Sequence, residues 1–413
     1  MKFEKGSYII IVLSFFMLIT ACSSNDNYVK IEGGKFIKNG ESYFPLILNY
    51  IVTVRTIEDS IVIGPSMEYD QPDAFDSYSK KEVHLRLKTH FRLIKEMGFN
   101  TIRLVGLNDP IYSHEKEKTL LYKSYDSLEQ TSIVYERQKQ NYLSTLEDVI
   151  NLAEQEEIMV MFVLPKPKKD INKNLNRINY IKDVLKFFKD EPNLFAYDFF
   201  NEPLYFDNSE YSDYRLVSRS KLDAYNLVKS WNELMDKLAP NQLFTIGQAE
   251  PIEVLEWDPS ILPLDFVSFH TYHPLRVSAE IYWFEKFIKK PWIISETSLP
   301  AENDSISYKS QAIFMEEILQ KTIDCGGIGF GWWQYQEVIW GPFEHNYTAL
   351  LNLEGETRVS NGEGVIGTMK PAGKVLSEFN FQVKENCDCP VNYYNMLGLE
   401  KYKITGKVIN ESN

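Results

Sequence analysis

The chain has 413 residues, 44% of them hydrophobic and 14% aromatic, which is enough apolar material for a large core. Length alone suggests two or three domains, yet α/β barrels of this size are routinely one. Its 44 Lys and Arg stand against 58 Asp and Glu, a formal charge of −14. A surface that acidic repels a phosphate backbone and no Lys/Arg run offers a local exception, so no nucleic-acid partner is expected.

Lys2 and Lys5 make a short basic start, residues 8–19 are almost uninterrupted apolar sequence, and Thr20-Ala21-Cys22 follows. The apolar run is too short for a comfortable spanning helix and has the layout of an export signal. Small residues just ahead of a cysteine resemble the lipobox of bacterial lipoproteins. The resemblance implies lipidation of Cys22 and a membrane anchor, on the periplasmic or the cell-surface face. An ordinary signal peptide with an incidental cysteine is the plainer alternative. Residues 1–22 are thus read as signal, 23–30 as a tether, 31–382 as the folded body and 383–413 as an extension of unassigned role. Cys325 closes an apolar helical pattern and reads as a small buried residue. Cys387-Asp388-Cys389 is too closely spaced for an easy mutual disulfide and has no CxxC or His partner for zinc. No disulfide framework and no metal site are expected.

Eight apolar runs recur along the body, at 44–48, 101–105, 159–164, 195–200, 243–246, 266–269, 292–295 and 327–333. Their interiors are continuous Val, Ile, Phe and Leu, as in parallel strands buried on both faces. Between them lie stripes of helical period. Tyr142, Leu146, Val149, Ile150 and Ala153 form one; Ile178, Ile181, Val184, Leu185 and Phe188 a second; Ala224, Leu227, Val228, Trp231, Leu234, Met235 and Leu238 a third, ended by Pro240. Only a small helix fits between the fifth and sixth strands. Repeated β-then-α closes most naturally as a single (β/α)8 TIM barrel of the α/β class. A doubly wound sheet is the alternative, but no Gly-rich phosphate turn follows any strand. Long connections at about 49–79, 106–136 and 335–369 would wall the C-terminal face, where barrel sites sit.

The fourth run ends Asp198-Phe199-Phe200-Asn201-Glu202-Pro203 and the seventh ends Ile293-Ile294-Ser295-Glu296. Asn-Glu-Pro alone arises by chance in roughly one chain of this length in twenty, so placement has to carry the argument. A carboxylate closing so apolar a run is costly without partners. A helix cap or structural ion pair explains either glutamate singly; both together, on strands 4 and 7, point to a paired-carboxylate site. Arg103, inside the second strand, needs an anion. His270 and Tyr272 follow the sixth strand on one side by parity. Of Trp332 and Trp333 on the eighth, only one can face the mouth.

Here the residues resemble a known family. Phe44-Pro45-Leu46 with Asn49-Tyr50, Gly98-Phe99-Asn100-Thr101-Ile102-Arg103, Asn201-Glu202-Pro203, His270-x-Tyr272, Ser295-Glu296 and Gly329-x-x-x-Trp333-Gln334 look like glycoside hydrolase family 5 and its wider clan. They appear in chain order over about residues 30–380. The resemblance implies Glu202 as acid/base, Glu296 as nucleophile and Asn201 as ligand of the sugar 2-hydroxyl. Tyr272 and Arg103 would flank the nucleophile, His270 would contact substrate, and Trp333 would stack beneath the sugar. One departure stands out: the third strand ends Val163-Leu164-Pro165-Lys166, where many members carry a histidine.

Physically, a retaining glycosidase needs two carboxyl groups about 5–5.5 Å apart, one protonated and one ionised. Burial beside Glu296 would keep Glu202 protonated, while Arg103 and Tyr272 keep Glu296 charged. No cofactor is required. The expected activity is retaining hydrolysis of a β-linked glycan of mannan or glucan type by a monomeric, membrane-anchored lipoprotein. A non-catalytic glycan-binding lipoprotein and a transglycosylase are the readings left open. Trp257, Trp283 and Trp292 read as core; Trp340, Phe343 and Tyr347 are candidate sugar platforms, Glu250 a candidate contact. His84 and His90 lie on a helical pattern without metal spacing.

Overall fold

The computed structural model describes residues 27–57, 60–65, 79–107, 129–166, 171–203, 220–249, 257–301, 306–337, 347–381 and 389. Residues 1–26, with the signal pattern and Cys22, lie outside them, as does the strand-like stretch at 401–409.

The chain begins with a three-stranded antiparallel sheet, β1 (Lys30–Glu32), β2 (Lys35–Lys38) and β3 (Glu41–Tyr43). Its strands are too short and mixed for the alternation signal, and the sequence reading missed it. Phe36 points from β2 into the lower end of the molecule and packs edge-on against Phe195 and Phe266. With Val29, Ile47, Met159, Met161 and Ile293 it forms a separate apolar layer that plugs that end.

All eight expected strands are present and close a parallel barrel. They are β4 (Leu46–Ile57), β6 (Thr101–Val105), β7 (Met159–Val163), β8 (Leu194–Asn201), β9 (Leu243–Gln248), β10 (Val267–His270), β11 (Trp292–Glu296) and β12 (Phe330–Trp332). Closure is made by β12 against β4, from Phe330 opposite Leu46 to Trp332 opposite Leu48. The fold is a single (β/α)8 barrel.

The helices around it are α1 (Lys80–Glu96), α2 (Glu129–Gln155), α3 (Ile171–Phe187), α4 (Lys221–Leu238), α5 (Val277–Phe287) and α6 (Tyr308–Asp324). Among the described residues no long helix lies between β9 and β10. The expected stripe of α2 is wholly buried; on α4, Ala224, Val228, Trp231 and Met235 are buried while Leu227, Leu234 and Leu238 are only partly so. Serines start three of these helices where orphan amides need acceptors. Ser79 and Glu82 form a capping box, Ser220 accepts from Asp223 N, and Ser307 from Ser310 N.

Two long connections carry more structure than expected. The first is not a loop throughout: β4 runs on to Ile57 and returns as antiparallel β5 (Ser60–Pro65), which packs on α1 and α2. Gly106, after β6, sits where this hairpin departs. Its φ is +103°, and a Cβ there would lie 2.0 Å from the Val52 carbonyl oxygen, so only glycine fits. The third contains the small hairpin β13 (Glu356–Arg358) and β14 (Gly364–Ile366).

The cysteine reading is corrected. Cys325 and Cys389 form a disulfide with a Cα–Cα distance of 4.6 Å. Cys325 caps the C-terminal end of α6, so the bond pins the chain after the barrel to the underside. The expectation failed because the partners are 64 residues apart, and local spacing carries no trace of that contact. Chain-entropy reasoning gives such a bond about 2–4 kcal/mol of stability. Cys389→Ser should lower the urea midpoint accordingly, and dithiothreitol should lower the parent but not the variant; a parent insensitive to reduction would contradict the pairing.

Candidate active site

The barrel interior changes character along its axis. Below the middle it is the apolar layer around Phe36; at the C-terminal ends of the strands it is charged. Arg103, on β6, lies at the centre of that upper layer with no exposure to solvent. Its guanidinium donates through Nε and Nη2 to Asp198 Oδ2 at 3.0 and 2.6 Å, through Nη1 to Asn49 Oδ1 at 2.9 Å and to Glu296 Oε1, and through Nη2 to Asn201 Oδ1 at 2.7 Å. The anion that Arg103 requires is therefore double. Burial alone would lower its pKa, but the charges of Asp198 and Glu296 outweigh burial and raise it.

Both glutamates follow an irregularity in their strand. Between β10 and β11 the register runs Phe269 opposite Ile294, then His270 opposite Glu296, so β11 carries one extra residue. Between β8 and β9 it runs Asp198 opposite Thr245, then Asn201 opposite Gly247, again with one extra residue on the glutamate's strand. Such bulges re-aim the side chains that follow them. Glu202 then takes a left-handed backbone, φ 49°, anchored by its N–H to the Gly247 carbonyl at 2.7 Å. A non-glycine residue holds that conformation only when its surroundings impose it.

Glu296 is held at both oxygens, Oε1 by Arg103 and Oε2 by the Tyr272 hydroxyl. Burial first, then the charges of Glu296 and Glu202, push the Tyr272 pKa well above its usual value, so the phenol stays a neutral donor. Tyr272 lies beyond the end of β10, so strand parity was the wrong premise for it, although it does reach the site with His270. His270 stands between the two glutamates. Its Nδ1 is 2.8 Å from Glu202 Oε1 and its Nε2 is 3.6 Å from Glu296 Oε1. The ring is wholly buried between the two carboxylates. Burial pushes its pKa down to about 4, which leaves it neutral above that.

Asn49, Asp198 and Gly247 had no role in the sequence reading. Asn49 ties the barrel closure together, donating to the Ser295 and Trp332 carbonyls at 2.9 and 3.0 Å. Asp198 opens the Asp-Phe-Phe-Asn-Glu-Pro motif, and a carboxylate inside a run this apolar is the sequence signal for it. The two tryptophans separate. Trp332 is fixed outward, its Nε1 donating to the Thr348 carbonyl at 2.9 Å and its ring edge-on to Phe314. Trp333 follows it, buried, with its N–H on the Thr297 carbonyl.

Trp257 and Trp292 are core, and Trp283 is half-buried against Phe284 and Phe287. Glu250, Trp340 and Phe343 lie outside the described residues; Tyr347 sits at the far root of the last loop, bonded through its backbone. Among the described residues, Glu202, His270 and Glu296 are the group with metal-ligand spacing. A guanidinium already supplies the cation there, so a carboxylate pair accounts for the cluster without an ion.

Buried neutral, His270 makes stability depend on pH in a known direction. Unfolded it binds a proton near pH 6.5, folded only near 4, so stability is full above about 6.5 and falls as pH drops toward 4. The loss approaches roughly 3 kcal/mol at the acid end. Urea unfolding from pH 7 to 4 should show a steeper loss for the parent than for His270→Asn; equal slopes would contradict a buried neutral imidazole.

Comparison with known proteins bears on the whole arrangement. The family described as Cellulase (glycosyl hydrolase family 5) matches residues 71–335, well over half of the chain. No curated protein matches. Among solved structures, the exo-β-1,4-mannosidase Op5Man5 from Opitutaceae bacterium strain TAV5 is similar with a TM-score of 0.57 and 14% identity, over 84% of this chain and 61% of that one. GH5_18 from Streptomyces cattleya, in complex with GlcNAc, has a TM-score of 0.55 and 12% identity, over 82% and 80%. A calcium-binding mutant of Bacteroides uniformis β-glucuronidase 2 has a TM-score of 0.54 and 13% identity over 79% of this chain, which spans only 34% of that enzyme. At these identities the likeness is one of fold.

Proposed function

This chain belongs to glycosyl hydrolase family 5, and from that premise we propose that it hydrolyses a β-linked glycan with retention, through Glu296 as nucleophile and Glu202 as acid/base. The observation that carries the mechanism is the spacing of the pair. An oxygen of Glu202 and one of Glu296 lie within 4.8 Å, a short separation of the kind direct attack by one carboxylate requires.

Glu296, oriented at both oxygens, attacks the anomeric carbon as the bond to the leaving oxygen breaks and Glu202 gives that oxygen its proton. Glu202, now ionised, takes a proton from water; the water oxygen attacks the anomeric carbon and the ester to Glu296 breaks. Glu296 loses and regains its charge in the cycle. Arg103 remains compensated throughout because Asp198 stays bound to it. Asn201 accepts from Arg103 through Oδ1, which leaves its amide nitrogen as the donor it can offer a sugar 2-hydroxyl. Trp333, beside an outward-fixed Trp332, is the proposed sugar platform. Mannose or glucose units are the proposed substrate class, and a panel of β-mannans and β-glucans tests it.

The two glutamates should fail differently when removed. Glu296→Ala should be inactive on every β-glycoside, since no covalent intermediate forms. Glu202→Ala should release a burst of dinitrophenol from a dinitrophenyl β-glycoside and then turn over slowly, with azide rescuing as the β-glycosyl azide. Exchanged behaviour would exchange the roles, and net inversion by the parent would remove the mechanism.

We also propose that Cys22 carries a lipid and anchors the enzyme outside the cytoplasm. The Cys325–Cys389 disulfide suits an oxidising compartment. The first described strands, from Lys30 to Tyr43, lie beneath the barrel, opposite the glutamates. Cys22→Ala should release the protein from the membrane fraction or leave an unprocessed precursor; a processed, still detergent-extractable form would contradict lipidation.

A further inference from the structure

We propose that Gly247 is a positioning residue for the acid/base, setting the place of Glu202 both directly and through His270. The proposal rests on the reading of Glu202 as acid/base. Gly247 lies near the end of β9, between the strand that carries Asp198 and leads into Glu202 and the strand that carries His270. Its N–H donates to Asp198 Oδ1 at 2.9 Å, and its carbonyl accepts the N–H that fixes the left-handed backbone of Glu202 at 2.7 Å.

The reason for glycine there is space. Gly247 is not among the residues with positive φ, so the backbone does not demand it. A Cβ at this position would lie 2.7 Å from His270 Nε2, 2.9 Å from His270 Cε1 and 2.9 Å from Asp198 Oδ2. Carbon approaches that close are not tolerated, so any side chain must displace one neighbour or the other. Asp198 is clamped by two guanidinium bonds and by Gly247 itself. The His270 ring is held at Nδ1 by Glu202, while its Nε2 has no hydrogen-bond partner and stands 3.6 Å from Glu296 Oε1, too far to hold the ring as firmly as the guanidinium holds Asp198. The ring is the part that yields. As it turns, Nδ1 leaves Glu202 while Arg103 keeps Glu296 in place. The absence of a side chain at 247 therefore governs proton transfer more than nucleophilic attack.

Gly247→Ala tests this, with the retention of the parent first established by anomeric proton NMR so that failure of the underlying mechanism is seen separately. On a β-glycoside with a sugar leaving group, kcat should fall on the order of 30-fold or more. The dinitrophenol burst from the 2,4-dinitrophenyl β-glucoside or β-mannoside, whichever the parent accepts, should stay within about threefold, because that step needs no proton. In a His270→Ala background the added Gly247→Ala should cost less than about twofold, since the ring it displaces is gone. The crystal structure of Gly247→Ala should show Nδ1 beyond hydrogen-bonding distance of Glu202. Equal losses on both substrates, additivity with His270→Ala, or unchanged activity would each overturn the proposal. If Gly247→Ala does not fold, the Gly247→Ala/His270→Ala double variant should; a double variant that also fails places the clash elsewhere and overturns it as well.

Discussion

A single guanidinium without access to water organises this molecule. Moving a cation out of water costs several kcal/mol even after relaxation, and one carboxylate with incomplete hydrogen bonding rarely offsets that. Arg103 has two carboxylates, Asp198 and Glu296, and two side-chain amide oxygens, from Asn49 and Asn201. These come from β4, β8 and β11, so satisfying one side chain brings three strands into mutual alignment around β6. Removing either carboxylate leaves a buried charge short of compensation. That is why the fold and the reactive geometry are hard to separate at this level of the barrel.

The polar layer is possible because the layer beneath it is not polar. Phe36, delivered by the sheet under the barrel, closes the lower interior with Met161, Phe195, Phe266 and Ile293. Water is kept from that end, and the charges above stand in a low-dielectric setting on one side. Interactions aimed at developing charge act more strongly there. The two bulges complete the arrangement. Each inserts one residue just before a glutamate, turning Glu202 and Glu296 toward each other and toward His270.

Much of this was legible in the sequence. The eight apolar runs became the eight barrel strands, because strands buried on both faces have no alternation to obscure them. Arg103, Asn201, Glu202, His270, Tyr272 and Glu296 do converge, because side chains leaving the C-terminal ends of barrel strands share one mouth. What escaped depends on contacts that local pattern does not encode. Asp198 is a lone carboxylate in an apolar run, and only the buried Arg103 says what it is for. Gly247 looks like a weak point in a strand until the His270 ring is placed against it. Cys389 finds Cys325 across 64 residues, and the base strands are only three or four residues long. The course of β4 past the barrel rim was hidden for another reason: Val52 to Ile57 reads as polar-apolar mixture, not as a buried run.

The account turns on Glu296 forming a covalent bond to sugar while Arg103 and Tyr272 hold it. A 2-deoxy-2-fluoro β-glycoside with a dinitrophenyl leaving group traps such a bond by slowing its hydrolysis, and mass spectrometry of the proteolysed protein locates it. The account predicts one equivalent of fluorosugar on the peptide containing Glu296, with activity lost in step with labelling. A label on Glu202, or full activity with no adduct formed while the natural β-glycan is still hydrolysed, would contradict it.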